Sequence, residues 1–323
     1  SNGETFPLSV PDGIVLIGDG WPTTTLDAEG SAGVMILAGA GAARVSGFTL
    51  TGGIATNGGG IDITAGTHEV DSLLVIDCGA LLRGSAINVA GDAAPNVHHN
   101  ILWGCFDTDL DHGGDPHVAH WGGTAAGTFA HNLVGRGDSN GLFVLEGAAP
   151  EVRHNIFVEN GIEGVRGRGT CFAGDPATVI AYNLYWSNSV ASLIMRDDQG
   201  NFVNMDAATA NSVSASDGVY GNFDADPLLV DPASFDFSLA PTSPAINAGE
   251  PGTGTDPDGT IFDLGPIYHP LAATGAPTPE PLRAASIGGA RPNPFNPRTQ
   301  IEVELARGGF AAVTIHDVRG RQV

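Results

Sequence analysis

The chain has 323 residues, 42% of them hydrophobic, and its 47 glycines and 21 prolines make up about one fifth of its length. That content disfavours a helical bundle because both residues break helices, and no apolar run reaches the roughly 18 residues that a membrane-spanning helix needs. The formal net charge is −23 and every basic residue is an arginine, so the surface repels phosphate backbones and nucleic acid is excluded as a partner.

Residues 1–270 are organised as internal repeats. Six segments share a pattern of β-branched and apolar residues punctuated by glycine and asparagine, and they begin at Val45, Val70, Val97, Phe129, Val152 and Ile180. The spacings are 25, 27, 32, 23 and 28 residues. Such a period without helical periodicity predicts a β-solenoid with one coil per repeat. A second set of short strands lies between the segments, so we expect two or three strands per coil and inward-pointing lead residues.

Aligning the repeats brings similar residues into columns. Three positions after the lead residue, four consecutive coils carry asparagine, at Asn100, Asn132, Asn155 and Asn183. At the strand spacing of about 4.8 Å each side-chain amide can donate to the next, which predicts a structural ladder. Eight positions after the lead residue stand Gly53, Cys78, Cys105, Gly137, Asn160 and Asn188. We expect a turn with left-handed backbone in this second column.

Two of the three cysteines fall in that second column. Cys78 and Cys105 are separated by 27 residues, the same interval as their repeats, so they should lie on adjacent coils. The strand spacing of about 4.8 Å places their Cα atoms within disulfide range, but stacked parallel side chains can orient badly for a bond. A disulfide and a reduced, half-buried pair therefore both remain open.

The longest interval, from Val97 to Phe129, contains an insertion rich in carboxylates and imidazoles. Its candidate metal ligands are Asp107, Asp109, Asp111, Asp115, His117 and His120. The aspartates alternate like the oxygen ligands of a calcium loop. His112 and Val118, however, stand where the helix–loop–helix calcium motif needs glycine and a bidentate acid. A looser calcium or zinc site is one hypothesis, and a solvated acidic loop is the preferred alternative.

Three histidines share the column two positions after the lead residue. They are His99, His131 and His154, and Tyr182 continues the column. One interpretation is a line of ring donors for sugar hydroxyls. The preferred one is a stack of rings that arises from the repeat alone. If a ligand binds, we expect it between this column, Arg153 and the insertion, where Trp121 offers a flat apolar face to a sugar ring.

Two stretches resemble known proteins. They are the opening Val10-Pro-Asp-Gly-Ile-Val-Leu-Ile-Gly and the later Asp226-Pro-Leu-Leu-Val-Asp-Pro with Ser243-Pro-Ala-Ile-Asn-Ala-Gly. They resemble the start and the closing segment of right-handed parallel β-helix proteins of the pectate-lyase-like superfamily. The resemblance covers about residues 1–270, with the closing segment at about 222–270, and implies an all-β, right-handed parallel β-helix. It implies no single activity, because that superfamily includes lyases, hydrolases, epimerases, adhesins and inert scaffolds.

The composition changes after the repeats. Residues 271–285 are rich in proline, as in a semi-rigid linker. The motif Arg291-Pro-Asn-Pro-Phe-Asn-Pro, followed by alternating Ile301, Val303 and Leu305, resembles the start of the immunoglobulin-like tail of secreted bacterial β-helix proteins. That tail is similar to the type IX secretion sorting domain and the flagellar hook-capping domain. A complete sandwich takes about 100 residues, so we expect a truncated one over residues 286–323.

Two classes of function follow. The resemblance implies export to the cell surface or the medium, although no signal-peptide pattern opens the sequence. The preferred expectation is a monomeric protein that binds polysaccharide or the cell envelope, or that is structural, since no complete acid–base constellation can be assembled. The alternative is a polysaccharide-active enzyme, a lyase of uronate-containing polysaccharide with calcium as its cofactor. Arg136, Arg153, Arg166 and Arg168 would supply the cations that uronates need, unless glutamates nearby pair with them.

Overall fold

The computed structural model describes residues 4–108, 117–161, 167–172, 177–196, 201–214 and 218–270, and the short pieces 286–287 and 303–304. The chain divides into two compact units, Ser1–Pro270 and Leu271–Val323. The first unit contains all six repeats and every candidate site residue.

The first unit consists almost entirely of short strands. In chain order they begin with β1 (Leu8–Ser9), β2 (Val15–Ile17), β3 (Thr25–Asp27), β4 (Met35–Leu37), β5 (Arg44–Ser46), β6 (Thr49–Thr51), β7 (Ile54–Asn57), β8 (Ile61–Ile63), β9 (Glu69–Asp71), β10 (Leu74–Ile76), β11 (Gly79–Arg83), β12 (Ile87–Val89), β13 (Asn96–His98), β14 (Ile101–Trp103) and β15 (Phe106–Asp107). They continue with β16 (Ala119–Trp121), β17 (Thr128–Ala130), β18 (Leu133–Gly135), β19 (Leu142–Val144), β20 (Glu151–Arg153), β21 (Ile156–Val158), β22 (Arg168–Phe172), β23 (Val179–Ala181), β24 (Leu184–Trp186), β25 (Ala191–Arg196) and β26 (Phe202–Met205). The helix α1 (Ala207–Ser214) precedes β27 (Val219–Tyr220), β28 (Phe223–Asp224), β29 (Leu229–Asp231), a 3-10 turn (Pro232–Ser234) and β30 (Asp236–Leu239).

Three long sheets run the length of the unit, each with one strand per coil. Sheet A has the order β1-β4-β8-β12-β16-β19-β22-β25-β26, sheet B the order β2-β5-β9-β13-β17-β20-β23-β27, and sheet C the order β3-β6-β10-β14-β18-β21-β24-β28. A short sheet D, β7-β11-β15, lies between C and A in chain order. Neighbouring strands pair parallel, except that β26 pairs antiparallel with β25. The chain therefore visits A, B and C once per coil, and the predicted parallel β-solenoid is confirmed. Its right-handed winding stays a prediction.

The interior of the solenoid is formed by the residues that the repeat register places inward. All six lead residues lie in sheet B, pair directly with one another from coil to coil, and are 0% exposed. Aromatic rings extend this core: Trp121 packs edge-on against Phe129 at 5.3 Å between ring centroids, and Phe157 stacks on Tyr185 at 5.2 Å. Because side chains alternate along a strand, the neighbours of each lead residue face outward.

The predicted asparagine ladder is confirmed at the turn between sheets B and C. Each side-chain Oδ1 accepts the backbone N–H of the residue at the same position one coil earlier, which is Leu73 for Asn100 and an asparagine for the other three, at 2.8–3.0 Å. Each Nδ2 donates to the lead-residue carbonyl of that earlier coil, also at 2.8–3.0 Å. All four amides are completely buried. The side chains thus satisfy backbone groups that the turn leaves without a partner in the sheets.

The ladder extends one coil beyond the sequence prediction and then ends at helix α1. The side-chain Oδ1 of Asn222 accepts the backbone N–H of Asn183 at 3.0 Å. Asn211 of α1 in turn accepts from both the backbone N–H and Nδ2 of Asn222, at 3.2 and 3.0 Å. Asp206 caps the helix by accepting the Thr209 N–H at 2.7 Å. The helix therefore closes this end of the solenoid and supplies the last acceptor of the ladder.

The left-handed turns differ from the prediction by one residue. The second column, eight positions after the lead residue, is not left-handed. The positive φ angles occur one position earlier, at Gly52, Asp77, Gly104, Arg136, Glu159 and Ser187. The histidine column is left-handed as well, at His99, His131, His154 and Tyr182. In both turns the residue with positive φ directly precedes an inward-facing residue, because the left-handed backbone turns the next side chain toward the interior.

Cysteine and asparagine have equivalent roles in the second column. Asn160 donates through Nδ2 to the Val134 carbonyl at 3.1 Å. Cys78 and Cys105 place their thiols 3.7 and 3.6 Å from the carbonyls of Leu50 and Val75, which occupy the same position in their own coils. No disulfide joins the two cysteines. The structure therefore supports the reduced pair rather than the disulfide.

Residues 225–270, here named the strap, cover the outer face of sheet C. The outward side chains of that sheet form a second apolar cluster with the strap, made of Leu74, Ile101, Trp103, Leu133, Ile156, Val158, Leu184, Phe237, Leu239, Ala245 and Leu264. Phe237 of β30 packs edge-on against Trp103 at 5.0 Å. The middle strands of sheet C, β14, β18 and β21, are consequently buried on both faces, and the strap lies along the flank of the solenoid and not across its end.

The second unit is described at two pairs of residues. Strand β31 (Ser286–Ile287) pairs antiparallel with β32 (Val303–Glu304), which coincides with the predicted strand around Val303. The proline-rich linker and the second predicted strand lie outside the described residues, so the immunoglobulin-like tail stays a prediction. Among the described residues, no helix combines the length and apolar character of a transmembrane span.

The ladder predicts a large stability loss for a single buried amide. Replacing Asn132 by Ala leaves the Asn100 N–H and the Val97 carbonyl without partners, and we expect a loss of about 2–4 kcal/mol. Urea unfolding followed by circular dichroism measures it. Asn96→Ala, at an exposed position of β13, is the matched control and should change stability by less than about 0.5 kcal/mol. Equal effects of the two variants would contradict the role of the ladder.

The cysteine arrangement predicts thiols that are unreactive in the folded protein and react fully after unfolding. Burial raises the pKa of Cys78 to about 12 and also raises the pKa of Cys105, so neither thiol should react with iodoacetamide in the folded protein at pH 8. Unfolding in urea without reductant should then add three adducts, measured by intact mass. A single adduct, placed on Cys171 by peptide mapping, would show that Cys78 and Cys105 form a disulfide.

Candidate functional site

The histidine column lies at the turn between sheets B and C and forms a continuous line of ring contacts. His99 and His131 stack with their planes 9° apart and centroids at 4.9 Å. His131 and His154 follow at 4.7 Å, and Tyr182 continues the column 6.3 Å from His154. The predicted ring column therefore exists, and its regular spacing follows from the coil repeat.

The strap covers the middle of this column. Phe262 packs against His131 and His154, with ring centroids at 5.0 and 5.9 Å. His154 is 3% exposed, and its Nε2 accepts the backbone N–H of Glu250 at 3.0 Å. Two of the three predicted ligand-binding histidines thus contact the protein's own chain and do not line an open groove.

Arg153 is held in the same region by acidic partners. Its guanidinium donates to the carboxylates of Glu151 and Glu250 and, at 2.9 Å, to the Tyr220 hydroxyl. The same guanidinium lies over the Tyr220 ring at 5.7 Å. Its charge is neutralised within the protein, so this predicted ligand-binding residue attaches the strap to sheet B.

The structure describes only some of the candidate metal ligands of the insertion. Asp109, Asp111 and Asp115 lie outside the described residues. The backbone N–H of Asp107 donates to the carboxylate of Asp138 at 2.8 Å. His120 belongs to β16 of sheet A, His117 lies two residues before that strand, and their rings stack with centroids 6.3 Å apart. The calcium hypothesis for the insertion stays a prediction.

On the outer face of sheet A, three polar side chains form a hydrogen-bonded line across adjacent coils. Asp62, Asn88 and His120 occupy paired positions of β8, β12 and β16. Asn88 donates through Nδ2 to Asp62 at 2.7 Å, so its Oδ1 is the acceptor for His120 Nδ1–H at 2.9 Å. That contact fixes the imidazole tautomer and leaves Nε2 unprotonated. Nε2 has no hydrogen-bond partner among the described residues and is not sealed from solvent.

Burial keeps His120 neutral. The residue is 2% exposed, and this burial, with a smaller contribution from the charge of Arg83, lowers the His120 pKa to about 4. The ring lies directly over Gly122, where a Cβ would come within 2.5 Å of Cε1. A neutral imidazole in this position is a fixed hydrogen-bond acceptor at neutral pH.

His117 and Phe143 complete this surface. Phe143 lies beside His120 in the next strand, and its ring stacks on His117 at 4.2 Å with the planes 6° apart. Asn140 donates to His117 Nδ1 at 3.1 Å and accepts the Arg168 N–H at 3.1 Å. This group, named the sheet A cluster, comprises Asp62, Asn88, His117, His120, Asn140, Phe143 and Arg168.

Trp121 does not belong to that surface. Side chains alternate along β16, so His120 faces outward while Trp121 faces the core, where it is 0% exposed and donates from Nε1 to the Ala126 carbonyl at 2.9 Å. It presents no face to a sugar. The histidine column lies at the corner between sheets B and C, across the solenoid from sheet A, so the two predicted groups do not share one groove.

Asn88, Asn140 and Phe143 were not predicted as site residues. Asn88 comes from one coil, and Asn140 and Phe143 come from another; what relates them is the pairing of β12, β16 and β19. Aligning the second strand set as closely as the lead-residue set would have placed Asn88, His120 and Phe143 in one column.

A separate acidic group on sheet B is already satisfied by protein partners. Asp71 accepts from Arg44 at 2.9 Å and from Ser46 at 2.8 Å, while His98 lies 3.3 Å from Glu69. The side-chain donor atoms of Glu69, Asp71 and His98 are mutually close, but the Arg44 guanidinium supplies the positive charge there.

Comparison with protein-family models, curated proteins and solved structures found no match to this chain. The solenoid architecture therefore rests on the described coils, and the resemblance to the pectate-lyase-like superfamily stays an expectation.

The neutral state of His120 predicts a pH dependence of stability. The unfolded histidine has a pKa of about 6.5 and the folded one about 4, so the unfolded chain binds the extra proton between these values. Stability should fall as pH is lowered from about 6.5 to about 4. His120→Gln should reduce proton uptake on unfolding by about one, measured from urea unfolding at several pH values. The control Asn96→Gln, at an exposed position of β13 without a titratable group, should leave the uptake unchanged; equal slopes in all three proteins would contradict a buried neutral His120.

Proposed function

We propose that this chain is a secreted or cell-surface β-solenoid protein that binds polysaccharide through the sheet A cluster without catalysis. The observation that carries the proposal is His120, a buried imidazole whose Nδ1 is fixed by Asn88 while Nε2 has no partner among the described residues. An unprotonated ring nitrogen that reaches solvent and has no protein partner can accept a hydrogen bond from a ligand that donates to it. Sugar hydroxyls are such donors.

The surroundings of His120 suit a sugar. Phe143 adds a half-buried ring that can pack on the apolar face of a pyranose. Asp62 and Arg168 offer an acceptor and a donor at either side of the ring. Sheet A repeats its outward positions once per coil, so a polymer lying along the solenoid would meet side chains at a constant interval. The insertion directly precedes His117, and extra residues in a solenoid are often on the binding face.

The lyase alternative has no specific support among the described residues. A uronate lyase needs cations free to face substrate carboxylates. Arg44, Arg136 and Arg153 each pair with a protein carboxylate, and Arg166 lies outside the described residues. The tail motif is the basis for the proposed export to the surface or medium.

The proposal predicts loss of glycan binding on removal of one ring. The wild-type protein is screened against acidic and neutral polysaccharides, with calcium and with chelator, and the affinity of the best binder is measured by calorimetry. His120→Ala should weaken that binding about tenfold, the equivalent of one polar contact of about 1.4 kcal/mol.

His98→Ala is the matched control, because His98 faces outward from sheet B and should leave affinity unchanged. Equal affinity of the wild type and His120→Ala would overturn the assignment to sheet A. Failure of the wild type to bind any polysaccharide would overturn the proposed function. Growth of ultraviolet absorbance from unsaturated product would favour the lyase.

A further inference from the structure

The strap is attached to the solenoid by a short chain of hydrogen bonds through two histidines. Glu250 donates its backbone N–H to His154 Nε2 at 3.0 Å. His154 Nδ1 lies 3.1 Å from His131 Nε2. A second strap residue, Gly265, donates its N–H to the His154 carbonyl at 2.9 Å. Phe262 of the strap packs on both rings.

The direction of these hydrogen bonds fixes where the protons are. A backbone N–H can only donate, so His154 Nε2 carries no proton and its single proton is on Nδ1. That proton is donated to His131 Nε2, so the proton of His131 is on Nδ1 as well. The remaining interaction of His131 with the strap is a hydrogen bond with the backbone of Asp263. Both rings are therefore neutral in this arrangement, with the same tautomer.

An added proton has no compatible position. On His154 Nε2 it would oppose the Glu250 N–H, and on His131 Nε2 it would oppose the His154 Nδ1–H. The first event removes the acceptor of a strap N–H, the second breaks the hydrogen bond between the two rings, and each places a charge against Phe262. Protonation and the closed strap therefore exclude each other.

The charged and titratable groups around the pair come from every packed element. Sheet B and its turns contribute Arg153, Glu151, Tyr220, Tyr182, His99 and His98, and the strap contributes Glu250 and Asp263. Arg153 and the neighbouring histidines oppose a positive charge on the pair, whereas Glu250 and Glu151 favour it. Glu250 is itself engaged by Arg153 and Tyr220, which leaves burial as the largest influence on both rings.

We propose that His131 and His154 form an acid-released clasp, which holds the strap against sheet C while both rings are neutral and frees it when they take up protons. Release uncovers the apolar outer face of sheet C, including Ile156 and Leu133. The clasp thus makes the exposure of that face dependent on pH. The proposal is independent of the function assigned to sheet A.

The expected size of the effect follows from proton linkage. The pKa of His131 is lowered to about 3 and that of His154 to about 4, in both cases chiefly by burial. An open strap returns both to about 6.5. Two linked protons then raise the open fraction by roughly several hundredfold between pH 7 and pH 5.

Amide hydrogen exchange of the intact chain tests the clasp. After correction for intrinsic exchange, the protection of the Glu250 and Gly265 amides should fall by roughly several hundredfold from pH 7 to pH 5. The ladder amides of Asn132 and Asn155 should stay protected, which separates local release from global unfolding. Protection of Glu250 and Gly265 that is independent of pH would overturn the proposal.

Variants and a direct proton measurement complete the test. In His131→Asn/His154→Asn, asparagine tolerates the left-handed backbone, and the pH dependence should disappear. His98→Asn, which removes a histidine that contacts Glu69 and His99, should keep it. If the double variant misfolds, nitrogen NMR of the wild type decides. Nδ1–H tautomers of both rings at pH 7 support the clasp, and an Nε2–H tautomer at His154 overturns it.

Discussion

The structure depends on the hydrogen bonding of the backbone groups at the turn between sheets B and C. These groups lie in a dry interior, so their partners must come from the next coil. A buried amide supplies both a donor and an acceptor at a single position, and asparagine is short enough to do so while the next coil stacks at the strand spacing. Because a shift of one residue would move every inward side chain to the surface, the ladder also fixes which residues face outward. The positions of His120 on sheet A and of Glu69 on sheet B both follow from that register.

The three faces of the solenoid differ because only sheet C has a second apolar side. Parallel strands buried on both faces read as continuous apolar runs, and β14 and β21 are of this kind, with Ile-Leu-Trp and Ile-Phe-Val. Several strands of sheets A and B instead alternate apolar and polar residues, as Ile-Asp-Ile does in β8 and Glu-Val-Asp in β9. The strap is therefore part of the apolar packing of the domain, and the histidines beneath it are where that packing meets ionisable groups.

The features that recur in every coil could be predicted from the sequence, whereas the contacts made by single, non-repeating residues could not. The lead residues and the asparagine ladder recur at a readable interval, so their burial could be predicted. Trp121 was assigned to the insertion because strand β16 has only three residues and follows it directly; its inward direction depends on the pairing with β12 and β19. Arg153 and His154 were open to a ligand as far as the sequence could show, since their strap partner, Glu250, is almost one hundred residues away. The left-handed positions were displaced by one because glycine and asparagine mark both the turn and the buried position that follows it.

The contact between Asn211 and Asn222 has a consequence for how this protein could vary in length. Every rung of the ladder needs a following amide, and α1 provides one from a segment that is not a coil. A duplicated coil inserted upstream of residue 207 would bring its own asparagine and leave that terminal acceptor in place. A coil added after residue 222 would have to displace α1 and compete with Asn211 for the same N–H. Insertion or deletion of whole coils is therefore compatible with the fold only on the N-terminal side of α1. The helix fixes the C-terminal end of the ladder.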